Sequence, residues 1–292
     1  MPLSSNSTGA MRERAALVVA HPGHELRVHG WLEEARPVVC VLTDGSGRTR
    51  RSRLDSTTRV LEAAGATPGP VYGALTDAEL YAALLEHEHA KFKGVVDELA
   101  SVFLREGVGR VAGDAEEGYN PGHDVCRLVV NAAVALASRE SGRRIAKYDF
   151  TLVAPPGHCP GALRDDALWY RLDEAAYARK LSAARNYPEL QAEVAAALSG
   201  YGSAGLLDHP DLAAPSDFGI ADAADFRVEC LRPVDVHSRY KPPLDGPRPF
   251  YEDYGERQVA AGHYTRVLRY REHVLPLAAA LDAHAGRLGR SA

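Results

Sequence analysis

The sequence predicts an α/β protein, a Rossmann-like three-layer fold with a mostly parallel sheet and a C-terminal helical extension. Three observations carry this reading. Residues 15–20 and 37–43 are short unbroken apolar runs, the pattern of parallel strands buried on both faces. Segments with helical spacing alternate with such runs. Loop-forming residues follow the carboxyl ends of the runs, as at Asp44-Gly45-Ser46-Gly47.

Taken in order, the run 15–20 is the first strand. Residues 25–36 have room for about three helical turns, and 37–43 is the second strand, which completes a βαβ unit. Residues 56–64 read as a helix stopped by Gly65, and 71–73 as a short third strand. Residues 76–104 carry one helical stripe through Leu80, Leu84, Phe92, Val96 and Leu99. A weak strand at 109–113 leads into the loop 114–124, and an Ala-rich helix spans 125–138. Residues 148–154 form a further strand. Beyond it, 173–198 and 256–288 read as helical, the latter with a bend at Pro276, and 242–249 is a Pro-rich extended segment. Residues 1–14 are polar, lack the apolar core of a signal peptide, and are expected to be a disordered tail. Residues 15–292 are expected to form one domain, in which 155–292 is an extension that completes the active site.

The 292 residues are 46% apolar and 25% charged, the balance of a globular protein that buries a sizeable core. A net charge of −5 supplies no basic field for nucleic acid. No run is long enough for a membrane span. The four cysteines, at 40, 126, 159 and 230, include no CxxC pair, so reduced thiols in the cytoplasm are expected. The expected partner is a small-molecule substrate, with no nucleic acid and no membrane; self-association stays open. Arg48, Arg50, Arg51 and Arg53 form a local basic cluster, either a solvated loop or a clamp for an anionic substrate.

Three of the twelve histidines stand in a distinctive context. His21 and His24 follow the first strand directly, with Pro22 and Gly23 forcing a turn between them. His123 lies in a second post-strand loop, just ahead of a helix. Ligands of open parallel sheets bind beyond the carboxyl ends of strands, so these loops converge if their strands are neighbours. Three neutral imidazoles with one open position suit a catalytic divalent metal, most simply Zn²⁺, with Fe²⁺ as the alternative.

These segments resemble the LmbE-like (PIG-L) family of metal-dependent N-deacetylases. That family carries Ala-His-Pro-Asp-Asp-Glu after its first strand; here the stretch is Ala20-His21-Pro22-Gly23-His24-Glu25. Its Thr-Asp-Gly at the end of the second strand is matched by Thr43-Asp44-Gly45. Its His-Pro-Asp-His motif is matched by Asn120-Pro121-Gly122-His123. The likeness covers about residues 15–135. It implies a Rossmann-like fold, a sugar-conjugate substrate, and a metal held by His21, His24 and His123. The chain is an atypical member of this pattern. An imidazole, His24, stands where the family has a carboxylate ligand. Gly23 stands where the family keeps its general base, and Asn120 where it keeps a transition-state histidine.

Amide hydrolysis on such a site needs a proton acceptor and a donor for the leaving amine. Replacement bases are sought in Glu117, Glu25, Asp44 and Asp124, with Glu117 favoured because it shares the His123 loop. Glu25 also suits a helix N-terminus, and Asp124 suits orientation of His123. His263 is a candidate general acid. Asp44, Arg51, Tyr119 and Asn120 are candidate substrate contacts, Tyr119 and Asn120 as donors to a developing oxyanion. The first functional reading is a metal-dependent hydrolase that removes an N-acyl group from an amino sugar or related small molecule. The others are a metalloenzyme of another reaction class, such as iron-dependent oxidative or lyase chemistry, and a non-catalytic ligand-binding relative.

Overall fold

The computed structural model describes residues 14–198, 223–234 and 248–286. The expected N-terminal tail, all but its last residue, and most of the Pro-rich segment 242–249 lie outside these residues.

The sheet is seven-stranded in the order β3-β2-β1-β4-β5-β7-β6. Its strands are β1 (Arg14–Val19), β2 (Val38–Thr43), β3 (Thr67–Leu75), β4 (Val108–Asp114), β5 (Ala146–Phe150), β6 (Leu168–Arg171) and β7 (Val228–Pro233). The first five are parallel, and β7 and β6 join antiparallel. β1 is central: Val18 is opposite Cys40 of β2 on one side and Gly113 of β4 on the other. The chain leaves β1 toward β2 and returns to β4, so the strand order reverses between β1 and β4. That switch point opens a crevice at the carboxyl ends.

Alternation along β1 divides the core. Ala16 and Val18 join one cluster with Leu80, Phe92, Leu99 and Val129. Ala15, Leu17 and Val19 join the other with Trp31, Leu32 and Leu61. Each fully buried aliphatic side chain stabilises the fold by about 1.5–3 kcal/mol, which is why all-apolar runs fall in the middle of the sheet. The first layer contains α3 (Asp77–Leu85), α4 (His89–Arg105), α5 (Pro121–Ser141) and α9 (Leu275–His284). The second contains α1 (His29–Ala35) and α2 (Leu54–Ala64), with α6 (Glu174–Arg185) packed on α1.

Several boundaries differ from the sequence reading. The single helix expected over 76–104 is two. His87 takes φ 55°, and the amides of His87 and Glu88 close on the carbonyls of Leu84 and Ala83, a left-handed helix stop built without glycine. Gly65, at φ 72°, ends α2 in the same way, as expected. Residues 25–36 divide into a 3₁₀ turn (His24–Val28) and α1. α5 starts four residues earlier than expected because Asn120 caps it and Pro121 occupies its first turn. β5 stops at Phe150, since the amides of Leu152, Val153 and Ala154 turn to the Glu117 carboxylate. β3 runs nine residues, longer than the three expected. In the C-terminal half, Pro188 separates α6 from α7 (Gln191–Leu198). The helix expected over 256–288 is instead α8 (Phe250–Ala260), a π-helical turn (Tyr270–Val274) and α9, with Pro276 in the first turn of α9. That half also supplies β6 and β7, so it extends the sheet as well as adding helices.

Candidate functional site

The loops after β1, β2, β3 and β4 surround one cavity of about 620 Å³. His21, His24 and His123 all line it. Their ring centroids lie 5.3 Å (His21–His24), 5.4 Å (His21–His123) and 4.7 Å (His24–His123) apart. Adjacency of β1 and β4 brings the two loops together.

Local backbone chemistry explains the turn. Gly23 has φ 104°, a left-handed conformation that disfavours any side chain. A Cβ at this position would collide with Leu190 Cδ1 and stand 3.7 Å from Tyr187 Cζ. A side chain at the position matching the family's base would thus be strained by the backbone and would need Leu190 to shift. Gly122 plays the converse part at α5: a Cβ there would sit 2.9 Å from His21 Nε2 and 3.0 Å from Asn120 Oδ1.

Two aspartates that the sequence did not single out orient the imidazoles. His21 Nδ1 lies 3.0 Å from Asp77 Oδ1 and 2.8 Å from Thr43 Oγ1. His24 Nδ1 lies 3.0 Å from Asp114 Oδ2. A carboxylate only accepts, so each Nδ1 carries a proton, and in the neutral ring Nε2 is left as the lone-pair donor. Burial pushes the Asp77 carboxyl up, but the His21 hydrogen bond and charge, with hydrogen bonds from Thr43 and Gly47, outweigh this and hold it far below the usual range. His123 is buried beside two other imidazoles. Burial first, then His24 and His21, hold its pKa well below that of free histidine, so it is neutral.

The donor chemistry suits a divalent cation. His21 Nε2 and His123 Nδ1 are buried without a hydrogen-bond partner. Histidines backed by carboxylates through the other ring nitrogen are a recurring metal-site arrangement. The rings nevertheless meet edge to face, and among the described residues no group of three His, Cys, Asp or Glu side chains forms an arrangement that holds a metal ion. The expected three-histidine site is present as a cluster of rings, not as a formed coordination shell.

The other candidates divide sharply. Tyr119 and Asn120 line the cavity. Tyr119 stacks on Phe250 at 4.8 Å, and its buried hydroxyl has no partner. Asn120 Oδ1 accepts the Gly122 amide at 2.7 Å and the Tyr81 hydroxyl at 3.2 Å, which leaves its amide protons as the available donors.

The expected replacement bases are engaged elsewhere. Glu117 is turned into the protein, where both carboxylate oxygens bind amides of residues 152–154. Burial pushes its pKa up, and these amides, with Arg27, pull it down. Glu25 is fully buried; it accepts the Gly23 amide at 2.8 Å and the Thr57 hydroxyl at 2.9 Å. Burial, opposed by these hydrogen bonds, pushes its pKa up to about 7. Asp124 Oδ1 accepts the amides of Glu117 and Gly118, each at 3.1 Å, and so shapes the loop. Asp44 Oδ1 accepts the Ser46 amide at 2.9 Å.

Asp44, Arg51 and His263 are not among the cavity-lining residues, and Arg51 is exposed. His263 Nδ1 lies 2.9 Å from Gln258 Oε1, at the end of α8. Of the arginine cluster, Arg53 lines the cavity; the Arg48 side chain lies outside the described residues. Burial of Asp114 and Asp77 gave no periodic signal in sequence; their position at a strand end and a helix start was the only cue.

No family model and no curated protein matches the chain. Solved structures do. The A40926 pseudoaglycone deacetylase Dbv21 is 19% identical, with a TM-score of 0.47 over 78% of this chain and 99% of that one. A deacetylase of the teicoplanin biosynthetic pathway, as a triple mutant, is 15% identical, with a TM-score of 0.45 over 75% and 97%. The zinc-inhibited form of teicoplanin deacetylase Orf2 is 13% identical, with a TM-score of 0.45 over the same shares. No helix of the described residues is long and apolar enough to cross a membrane.

Proposed function

We propose that the chain is a metal-dependent amide hydrolase that removes an N-acyl group from an amino sugar or a related small molecule. The observation that carries this reading is the cluster of His21, His24 and His123 at one cavity wall, with Asp77 and Asp114 on the Nδ1 atoms of the first two. The resemblance of the flanking motifs to the LmbE-like deacetylases supports it.

His21, His24 and His123 would hold a divalent ion, most simply Zn²⁺, which would polarise the amide carbonyl and acidify water, the more so because three neutral ligands leave its charge intact. Asp77 and Asp114 fix the tautomers that present Nε2 of His21 and His24. The Tyr119 hydroxyl and the Asn120 amide supply uncommitted donors for a substrate oxygen. In this reading Glu117, Glu25 and Asp124 hold loops in place through their hydrogen bonds to backbone amides.

The test pairs metal analysis with amine release from N-acylated glucosamine. Bound divalent metal in the wild type, its loss in His24→Ala, and metal-dependent amine release are the expected results. Full metal content in His24→Ala would remove the three-histidine reading. Iron with oxygen-dependent turnover would replace hydrolysis by another chemistry.

A further inference from the structure

The histidines occupy one wall of the cavity; much of the remainder is hydrocarbon. Leu152 and Val153 come from the loop after β5, Leu181 from α6, Val194 and Leu198 from α7, and Phe226 from the turn before β7. Three stretches of the chain, around 152–153, 181–198 and 226, meet at this wall. Most of these side chains remain partly exposed, so part of their apolar surface faces the cavity they line. A concave apolar wall of this kind is the usual signature of a ligand chamber, and the volume lies in the range of about 300–1,000 Å³ that takes a drug-sized molecule.

The cations on this side are already committed. Arg27 donates to the carbonyls of Thr151 at 3.1 Å and Ala154 at 2.6 Å. Lys180 Nζ donates to the Arg27 carbonyl at 3.0 Å and to Glu229 Oε1 at 2.8 Å. Both residues line the cavity, and their charged ends are held by these acceptors. Glu193 also lines the cavity, from the same helix as Val194. The hydroxyl groups of a bare sugar would find few partners against this wall, and unpaired polar groups there are costly.

We infer that the substrate is amphiphilic: its scissile amide lies at the histidine cluster, and an aliphatic or aromatic hydrocarbon group attached near that amide fills the chamber between the loop 152–153, α6 and α7. This rests on the amide-hydrolase reading of the same site. The hydrocarbon is carried either by the acyl group or by the amine-bearing half, and the chemistry that recognises it is the same.

Two probe ladders distinguish these sources by calorimetric titration of the purified full-length protein: N-acylglucosamines from acetyl to octanoyl, and alkyl N-acetylglucosaminides from methyl to octyl. One ladder is expected to tighten about threefold to fourfold per methylene until the chamber is full. Leu181→Gln and Val194→Gln, each with unchanged circular dichroism, are expected to flatten that slope. Flat affinity along both ladders of the wild type, or no binding by any probe, would overturn the inference. Amine release is read separately. Graded binding without release would sink the hydrolase reading and keep the chamber; release from the shortest probes with flat affinity would do the reverse.

Discussion

Asp114 Oδ2, at the end of β4, lies 3.0 Å from His24 Nδ1 and 2.7 Å from the Ala20 amide at the end of β1. One fully buried carboxylate thus ties the two central strands together and sets the tautomer of an imidazole on the cavity wall. Asp77 does the same for His21 from the start of α3. In the proposed hydrolase the two acids would act through the histidines they orient.

Asp114→Asn keeps the volume and can still accept one hydrogen bond, but it removes the charge that fixes the His24 proton on Nδ1. Loss of such a partner typically weakens metal binding about 10–100-fold. Competition with a chelator measures this. Thermal unfolding of the same variant reports the separate cost at the Ala20 amide. Unchanged metal affinity would show that the Asp114–His24 pair is only structural.

Gly23→Asp would restore the residue of the LmbE-like motif without restoring its function. The new side chain meets Leu190 in a left-handed turn, and strain of this kind costs about 1–3 kcal/mol. Denaturant titration is expected to show that loss, with part of it recovered in Gly23→Asp/Leu190→Ala. An increase in amine release from the single variant would contradict the packing argument.

His29 gives the fold a sensitivity to acid. It is 3% exposed, and its Nδ1 has no hydrogen-bond partner. Burial holds its pKa below the ordinary 6.5, against the pull of Glu33 and Glu229. Above pH 6.5 both folded and unfolded states carry neutral His29, and the burial is tolerated. As pH falls below 6.5 the unfolded chain takes up a proton that the folded one resists, so stability is lost toward acid, by at most about 1.4 kcal/mol per pH unit for one proton. Thermal unfolding between pH 7.5 and 5.5 should therefore be steeper for wild type than for His29→Asn. Parallel curves would refute it.

The sequence by itself determined the parallel sheet, because continuous apolar runs have no other stable place than between two layers of helices. It also determined which loops carry the histidines, since His21, His24 and His123 directly follow strand patterns or precede a helix. Only the tertiary structure placed β1 beside β4 and so brought His123 within 5 Å of His24. Only the fold decided which acids serve the site. Glu117 looked free in sequence and is consumed by three backbone amides, whereas Asp114 and Asp77 looked ordinary and hold the imidazoles. The apolar chamber was equally hidden, its walls coming from separate segments between residues 152 and 226. Periodicity reports which face of an element is buried; the partner of a buried polar group is set by long-range contacts that no local pattern encodes.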